Sequence, residues 1–312
     1  ETPAQFLWFG SQANIDGSVK GKLLADMDMS GIAWNPIAKF NGTIDGQMHK
    51  ISNLVIEKAE NNVGLIALGT DGAVIKNIIM DETCSVTGAS YVAAFIGSSD
   101  GSGTITFENV GNEANITGTG ANVAGIVGVS MGSSMFFQMD NCYNTGDITG
   151  GNESASLTGW AGNASAFNNC YNTGVVVGAD GSNTLYRGTS TLTNCYNIDG
   201  NQATGFTEDM LYSGELAFLL NGSVSGGEAW FQNLDSDDNP VPFSTHAKVY
   251  QVGTKLCDGS IGDEVAYSNE EGVIEIPDHE FGECVCDVCG YPVEGYLTPN
   301  EEGIFEIASG ED

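Results

Sequence analysis

The chain has 312 residues, and 9 basic against 41 acidic side chains leave it at −32. Nucleic-acid binding needs clustered Lys and Arg, so that class is excluded, and anionic lipid surfaces are disfavoured on the same ground. Eight cysteines are too few for a disulfide scaffold at this length, and no run of eighteen apolar residues exists to span a membrane.

Glu1 to Gly10 carries Phe6, Leu7, Trp8 and Phe9 after Pro3, which suits the first turn of a helix with an aromatic face. Such a segment would cover the exposed end of a stacked β structure. Asp26-Met27-Asp28-Met29 alternates strictly, as a half-buried strand does. From Ile51 to Asn197 a repeat dominates. Asn141-Cys142-Tyr143-Asn144-Thr145-Gly146, Asn169-Cys170-Tyr171-Asn172-Thr173-Gly174 and Asn194-Cys195-Tyr196-Asn197 are near-copies, and looser copies are placed at Asn53, Asn77 and Asn109. The six leading asparagines are 24 to 32 residues apart. Between them lie glycine-flanked apolar pieces such as Val123-Ala124-Gly125-Ile126-Val127-Gly128.

A period of this size means a unit that buries its apolar face only against its neighbours. The pieces are short, β-branched and bounded by Gly or Asn, with no room for a ten-residue amphipathic helix. The fold class predicted is all-β: a right-handed parallel β-helix with short helical caps and a small C-terminal Cys/His knuckle. Side chains alternate about the wall of each coil. Asn at a fixed phase predicts amide ladders along the axis, and Cys142, Cys170 and Cys195 are expected as stacked buried hydrophobes rather than disulfides. Tyr143, Tyr171 and Tyr196 follow them by one residue and should point outward. Two readings of that column stay open, a glycan-stacking ladder and aromatic packing between coils.

Asp26-Met27-Asp28-Met29-Ser30-Gly31, Trp34-Asn35-Pro36-Ile37 and Phe40-Asn41-Gly42-Thr43-Ile44-Asp45-Gly46, with the glycine-flanked pieces, resemble the opening coils and core of bacterial surface proteins with GLUG-type repeats. Ala93, Ala94 and Met48 depart from the glycines of that motif, and the Leu185-Tyr186-Arg187-Gly188 copy is degenerate. The resemblance covers most of residues 1–250. It implies an exported, adhesin-like β-helix at a bacterial cell surface and implies no particular activity.

After Gly200 the repeat stops. Thr207 is an N-cap candidate ahead of acids that suit a helix start, and Asn221-Gly222 is a C-cap signal. One or two short helices are expected to close the far end. Calcium is disfavoured in the Asp235–Pro240 turn, which lacks the spaced ligands of a known loop. Cys257, His279, Cys286 and Cys289, with Cys284 as an extra thiol, offer a Cys₃His set in which Cys286-Asp287-Val288-Cys289 is a C-x₂-C pair. A structural Zn²⁺ contributes on the order of 10 kcal/mol and one disulfide ~2–4 kcal/mol. Both fit this set, and either is structural. The organisation predicted is a cap and first coil at 1–50, the β-helix at 51–200, a C-terminal cap at 201–248, the knuckle at 249–295, and a linker at 296–312 opening a further module, in a chain read as one monomeric unit of a longer tandem array.

No Gly-x-Ser-x-Gly, His-Glu-x-x-His or phosphate loop occurs. Asp26 with Asp28, and Asp140 near Asp147, are the carboxylate pairs a glycosidase would draw on, though 41 carboxylates produce close pairs by chance. His49 is expected in a surface or structural role, and His246 has no partner in sequence. Between Asn77 and Ala247 the only Lys or Arg is Arg187, so a groove there cannot neutralise a polyanionic sugar. The sequence therefore favours a non-catalytic exported module that binds neutral glycan or a host or bacterial surface protein. The alternative is a polysaccharide-degrading enzyme on the same fold.

Overall fold

The computed structural model describes residues 2–131, 134–179, 183–255, 261–272 and 286. Its body is a parallel β-solenoid in which equivalent pieces of successive coils pair in register. One column runs Ile44, Ile75, Phe107, Met139, Phe167 and Leu192. A second runs Ile56, Val86, Ile116, Ile148 and Val176, and a third Ile66, Ile96, Val127 and Thr158. These side chains point inward and, apart from the half-buried Leu192, are almost wholly buried in one continuous dry core. Strand alternation thus turns a local pattern into an axis of stacked hydrophobes.

The asparagines form two ladders. At the first corner Asn77, Asn109, Asn141, Asn169 and Asn194 all take left-handed backbone conformations, φ 52 to 55°. That region tolerates Asn far better than β-branched residues. Each donates through Nδ2 to the rung before it: Asn109 to Asn77 at 2.9 Å, Asn141 to Asn109 at 2.9 Å, Asn169 to Asn141 at 3.2 Å and Asn194 to Asn169 at 3.0 Å. The series ends on the carboxylate of Asp45, 3.0 Å from Asn77 Nδ2. Burial works to raise the Asp45 pKa, but hydrogen bonds from Gln47 and Asn77 outweigh it and hold the group below its usual range.

The second ladder is buried and runs the other way. Asn112 donates to Asn144 at 2.8 Å, Asn144 to Asn172 at 2.9 Å and Asn172 to Asn197 at 3.1 Å, while the first three also donate to the carbonyl two residues on. Met80 holds the position before Asn112 and has no side-chain N–H to offer, so Asn112 Oδ1 is left without a donor among the described residues.

Asn53 does not belong to the corner column. The strand Thr43–Ser52 bulges between Asp45 and His49, so Gly46, Gln47 and Met48 stand where later coils place one asparagine. Gln47 and Met48 carry the positive φ values there, 51° and 67°. Asn53 makes a corner of its own and donates to Asp28 Oδ1 at 2.9 Å. The 24-residue step from Asn53 to Asn77 is therefore corrected.

Cys142, Cys170 and Cys195 are free, buried thiols in one inward column. Burial pushes the Cys170 thiol well up, and a hydrogen bond with Cys170 followed by burial does the same to Cys195. Burial raises Cys84 to about 12. The thiolate is the reactive form. All four cysteines are buried, and they should resist maleimide at pH 7 in the folded chain and label fully after denaturation, as peptide mass mapping would read. Labelling of any of them in the folded chain at the rate of a free thiol would contradict this packing.

Helix α1 (Pro3–Ile15) caps the first coil, longer than the ten residues expected, with Thr2 as N-cap. Phe6 stacks on Trp34 with ring centroids 4.6 Å apart. Helices α2 (Glu208–Ser213) and α3 (Glu215–Leu220) follow the last coil, Thr207 capping the first and Asn221 the second. They meet the final rung of the corner ladder, where Asn194 Nδ2 donates to the carbonyls of Leu219 and Leu220 at 3.0 and 3.1 Å. The chain after them does not simply close the end. It returns along the outer flank as far as the first full coil, where Ser244 Oγ lies 3.2 Å from Met48 Sδ. A hairpin of Tyr250–Lys255 and Ile261–Ser268 follows, tied back through Asn269 to Gln232 and Lys248.

Candidate functional site

The flank covered by the returning chain is the outward face of the coil after the corner asparagines. Register places Lys50, Ile79, Gly111, Tyr143, Tyr171 and Tyr196 in one column there. Tyr143 and Tyr171 stack with centroids 5.2 Å apart and planes 4° from parallel. A Cβ at Gly111 would stand 2.2 Å from the Tyr143 ring, so only glycine fits beneath it. The tyrosines point out of the coil, as alternation requires, but they are not an open ladder. Tyr143 and Tyr171 have no exposed area and Tyr196 only 8 %.

Trp230, Val241 and Phe243 lie over the column, joined by Leu211, Leu216 and Leu220 in a second core outside the solenoid. Trp230 meets both stacked rings edge-on, 6.0 Å from Tyr143 and 5.2 Å from Tyr171. The polar tips are satisfied in place. Tyr143 donates to Glu113 Oε1 at 2.5 Å, and Tyr171 donates to the Pro240 carbonyl at 2.7 Å while accepting from Asn239. Burial, then the Glu113 charge, raises both phenols well above their usual range. Burial also raises Glu113, against the pull of Lys50, 3.8 Å away. Of the two readings left open for Tyr143, Tyr171 and Tyr196, the column takes the form of aromatic packing, a covered seam rather than an exposed glycan-stacking face.

Beside the seam, flank and returning chain leave a cleft of about 750 Å³. The solenoid contributes Met48, Glu108, Asn109 and Asn141, and the returning chain contributes Asn221, Val224, Phe231, His246 and the Glu228–Lys248 ion pair. Asn109 and Asn141 are half-buried corner rungs. Each spends one amide N–H and one acceptor site on its ladder neighbours, and an amide carries two of each. Among the described residues the second N–H and second acceptor site of each rung have no partner.

His246 is oriented. Its Nδ1 lies 2.6 Å from Asp237 Oδ2, and Asn233 holds both Asp237 oxygens. Burial works against the Asp237 carboxylate, but the Asn233 backbone and His246 bonds keep it below its usual range. The result is an imidazole held in place beside a firmly ionised carboxylate. Sequence reasoning missed this pair. Asp237 belongs to the acidic Asp235–Pro240 turn, and nothing in the sequence marks that turn as closing on His246.

The other sequence candidates lie elsewhere. Asp26 and Asp28 are exposed, Asp26 beside His49 Nδ1 at 3.1 Å and Asp28 bonded to Ser30 and Asn53. Asp140 is held by Gln138 and Asn168, and Asp147 accepts from the Val175 N–H. Arg187 Nε donates to the Ser154 carbonyl. Cys257, His279, Cys284 and Cys289 lie outside the described residues, and Cys286 is buried. Among the described residues no group of three or more His, Cys, Asp or Glu side chains is placed to hold a metal ion.

No protein-family model matches the chain. Over 141 residues it is 31% identical to halomucin of Haloquadratum walsbyi, a match that takes in 40% of this chain and 2% of halomucin. The crystal structure of a "putative immunoglobulin A1 protease" from Bacteroides ovatus superposes with a TM-score of 0.49 at 16% identity, covering 72% of this chain and 85% of that one.

Proposed function

We propose that the chain is a non-catalytic module of an exported, surface-associated protein, and that it takes neutral glycan into the flank cleft. The observation that carries this reading is the pairing of the second amide sets of Asn109 and Asn141 with the apolar wall of Met48, Val224 and Phe231. Neutral pyranoses present hydroxyl pairs on one side and C–H faces on the other, and sites for them combine a few fixed polar groups with an apolar surface. Glu108 and Glu228 against Lys248 leave the cleft without the surplus of cations that uronates or sulfated sugars need.

A second reading, hydrolysis of a polysaccharide on the same fold, draws on the oriented His246 beside this cleft. Titration calorimetry against neutral and uronate-containing oligosaccharides, with a reducing-end assay on the same mixtures, separates them. Saturable binding of neutral chains without new reducing ends is expected. Ala229→Arg fills the cleft from its wall and should weaken that binding about tenfold, a loss of about 1.4 kcal/mol. New reducing ends would favour the enzyme, and preference for uronates or indifference to Ala229→Arg would remove the cleft from the account.

A further inference from the structure

We infer that the N-terminal end of the solenoid is a docking site for an acidic segment of another protein chain, one in which carboxylates alternate with apolar side chains. A cleft of about 440 Å³ opens there between α1 and the strand Lys20–Lys22, lined in part by Trp8, Phe9, Lys20, Lys22 and Leu24. Trp8 is 65% exposed and Leu24 62%, and both line the cleft with the two lysines.

The lysines carry the inference. Lys20 and Lys22 are both exposed and neither makes an ion pair among the described residues. Lys39 and Lys58 also make no ion pair among the described residues, but Lys20 and Lys22 are the two that stand together, two residues apart, on the lining of one cleft. Two residues apart on a strand, they share one face. Gly21 between them faces the other side of the strand, under the Phe9 ring, where a Cβ would come within 2.7 Å, so α1 packs its aromatic edge closely against this strand. Among the described residues, Lys20–Lys22 pairs on one side only, with Thr43–Asp45. An edge with open N–H and C=O groups accepts an extended segment, and lysines on it repel basic partners while favouring acidic ones.

The apolar lining selects against bare anions, and a net charge of −32 repels polyanions at longer range. An acidic peptide with apolar side chains answers both features. The sequence of residues 301–312, Glu301-Glu302-Gly303-Ile304-Phe305-Glu306-Ile307-Ala308-Ser309-Gly310-Glu311-Asp312, has this chemistry and makes a ready probe.

Fluorescence anisotropy of that labelled synthetic peptide against the full chain tests the inference. Saturable binding is expected, weakening as salt rises from about 20 to about 200 mM. Affinity should fall about tenfold or more in Lys20→Gln/Lys22→Gln and in Trp8→Ala. Lys58→Gln makes the same kind of charge change away from the cleft and should leave affinity unchanged. All these side chains are exposed or half-buried, and unfolding temperatures would confirm that each variant folds. No saturable binding, loss in Lys58→Gln equal to that in the double variant, or displacement of the peptide by acetate at equal carboxylate concentration would overturn it.

Discussion

Trp230→Ala is expected to destabilise the chain by about 3–5 kcal/mol, the usual cost of deleting a fully buried tryptophan. Trp230 has no exposed surface and packs edge-on against both Tyr143 and Tyr171. Its loss opens a void in the outer core and uncovers the tyrosine seam, while the inner core is untouched. Trp230→Phe should cost distinctly less. It keeps an aromatic edge in place and removes an indole N–H that has no acceptor among the described residues. Equilibrium urea unfolding reads both. A spectroscopic tyrosine titration adds a local readout, because the phenols that burial and Glu113 now hold well above their usual range should titrate closer to it in Trp230→Ala. A loss below about 1 kcal/mol would mean that the returning chain does not seal the flank.

Asn144→Ala is the second large effect, expected at about 3–5 kcal/mol. Asn144 is fully buried, accepts from Asn112, and donates both to Asn172 and to the Gly146 carbonyl. Alanine removes a partner from all three at once, in a place water does not reach. Asn112→Ala should cost less, because it deprives only Asn144 and Ala114 and also deletes the one acceptor of this ladder that already lacks a donor among the described residues. Urea midpoints for the two variants should fall in that order. Equal or inverted losses would mean that the rungs act as isolated turn caps rather than as a chain of coupled amides.

The coil architecture was legible because its signal repeats. Asparagine, cysteine and tyrosine recur at one phase, and alternation alone then sends Cys142 inward and Tyr143 outward. Both directions hold. Alternation says nothing about what lies over the outward face, so the burial of the tyrosines under Trp230 was not readable. The covering segment carries no repeat of its own, and its contacts are between residues far apart, as with Tyr171 and Pro240.

Asn53 misled for a different reason. Its spacing matches the repeat, but three residues at Gly46–Met48 occupy the place of one, and a bulge of Gln and Met in left-handed backbone has no sequence signature. The cleft and the Asp237–His246 pair are products of the same return of the chain, which is why the candidate site was the least legible part. The edge at Lys20–Lys22 was not legible, because pairing on one side is a property of the stack and not of three residues.

Everything rests on coils stacked in parallel about one dry axis. Glu57, Thr87, Thr117, Thr149 and Val177 are successive register partners on one face, with Glu57 and Val177 exposed. Four strand spacings of ~4.8 Å put the two ends ~19 Å apart. Spin labels on Glu57→Cys and Val177→Cys, with Cys257, Cys284, Cys286 and Cys289 changed to serine, give that distance by pulsed electron paramagnetic resonance. A narrow distribution centred between about 18 and 28 Å, allowing for label arms, is the result predicted by four such spacings. A centre beyond about 35 Å, or a broad spread without a maximum, would contradict the stacked solenoid, since its register admits no such separation.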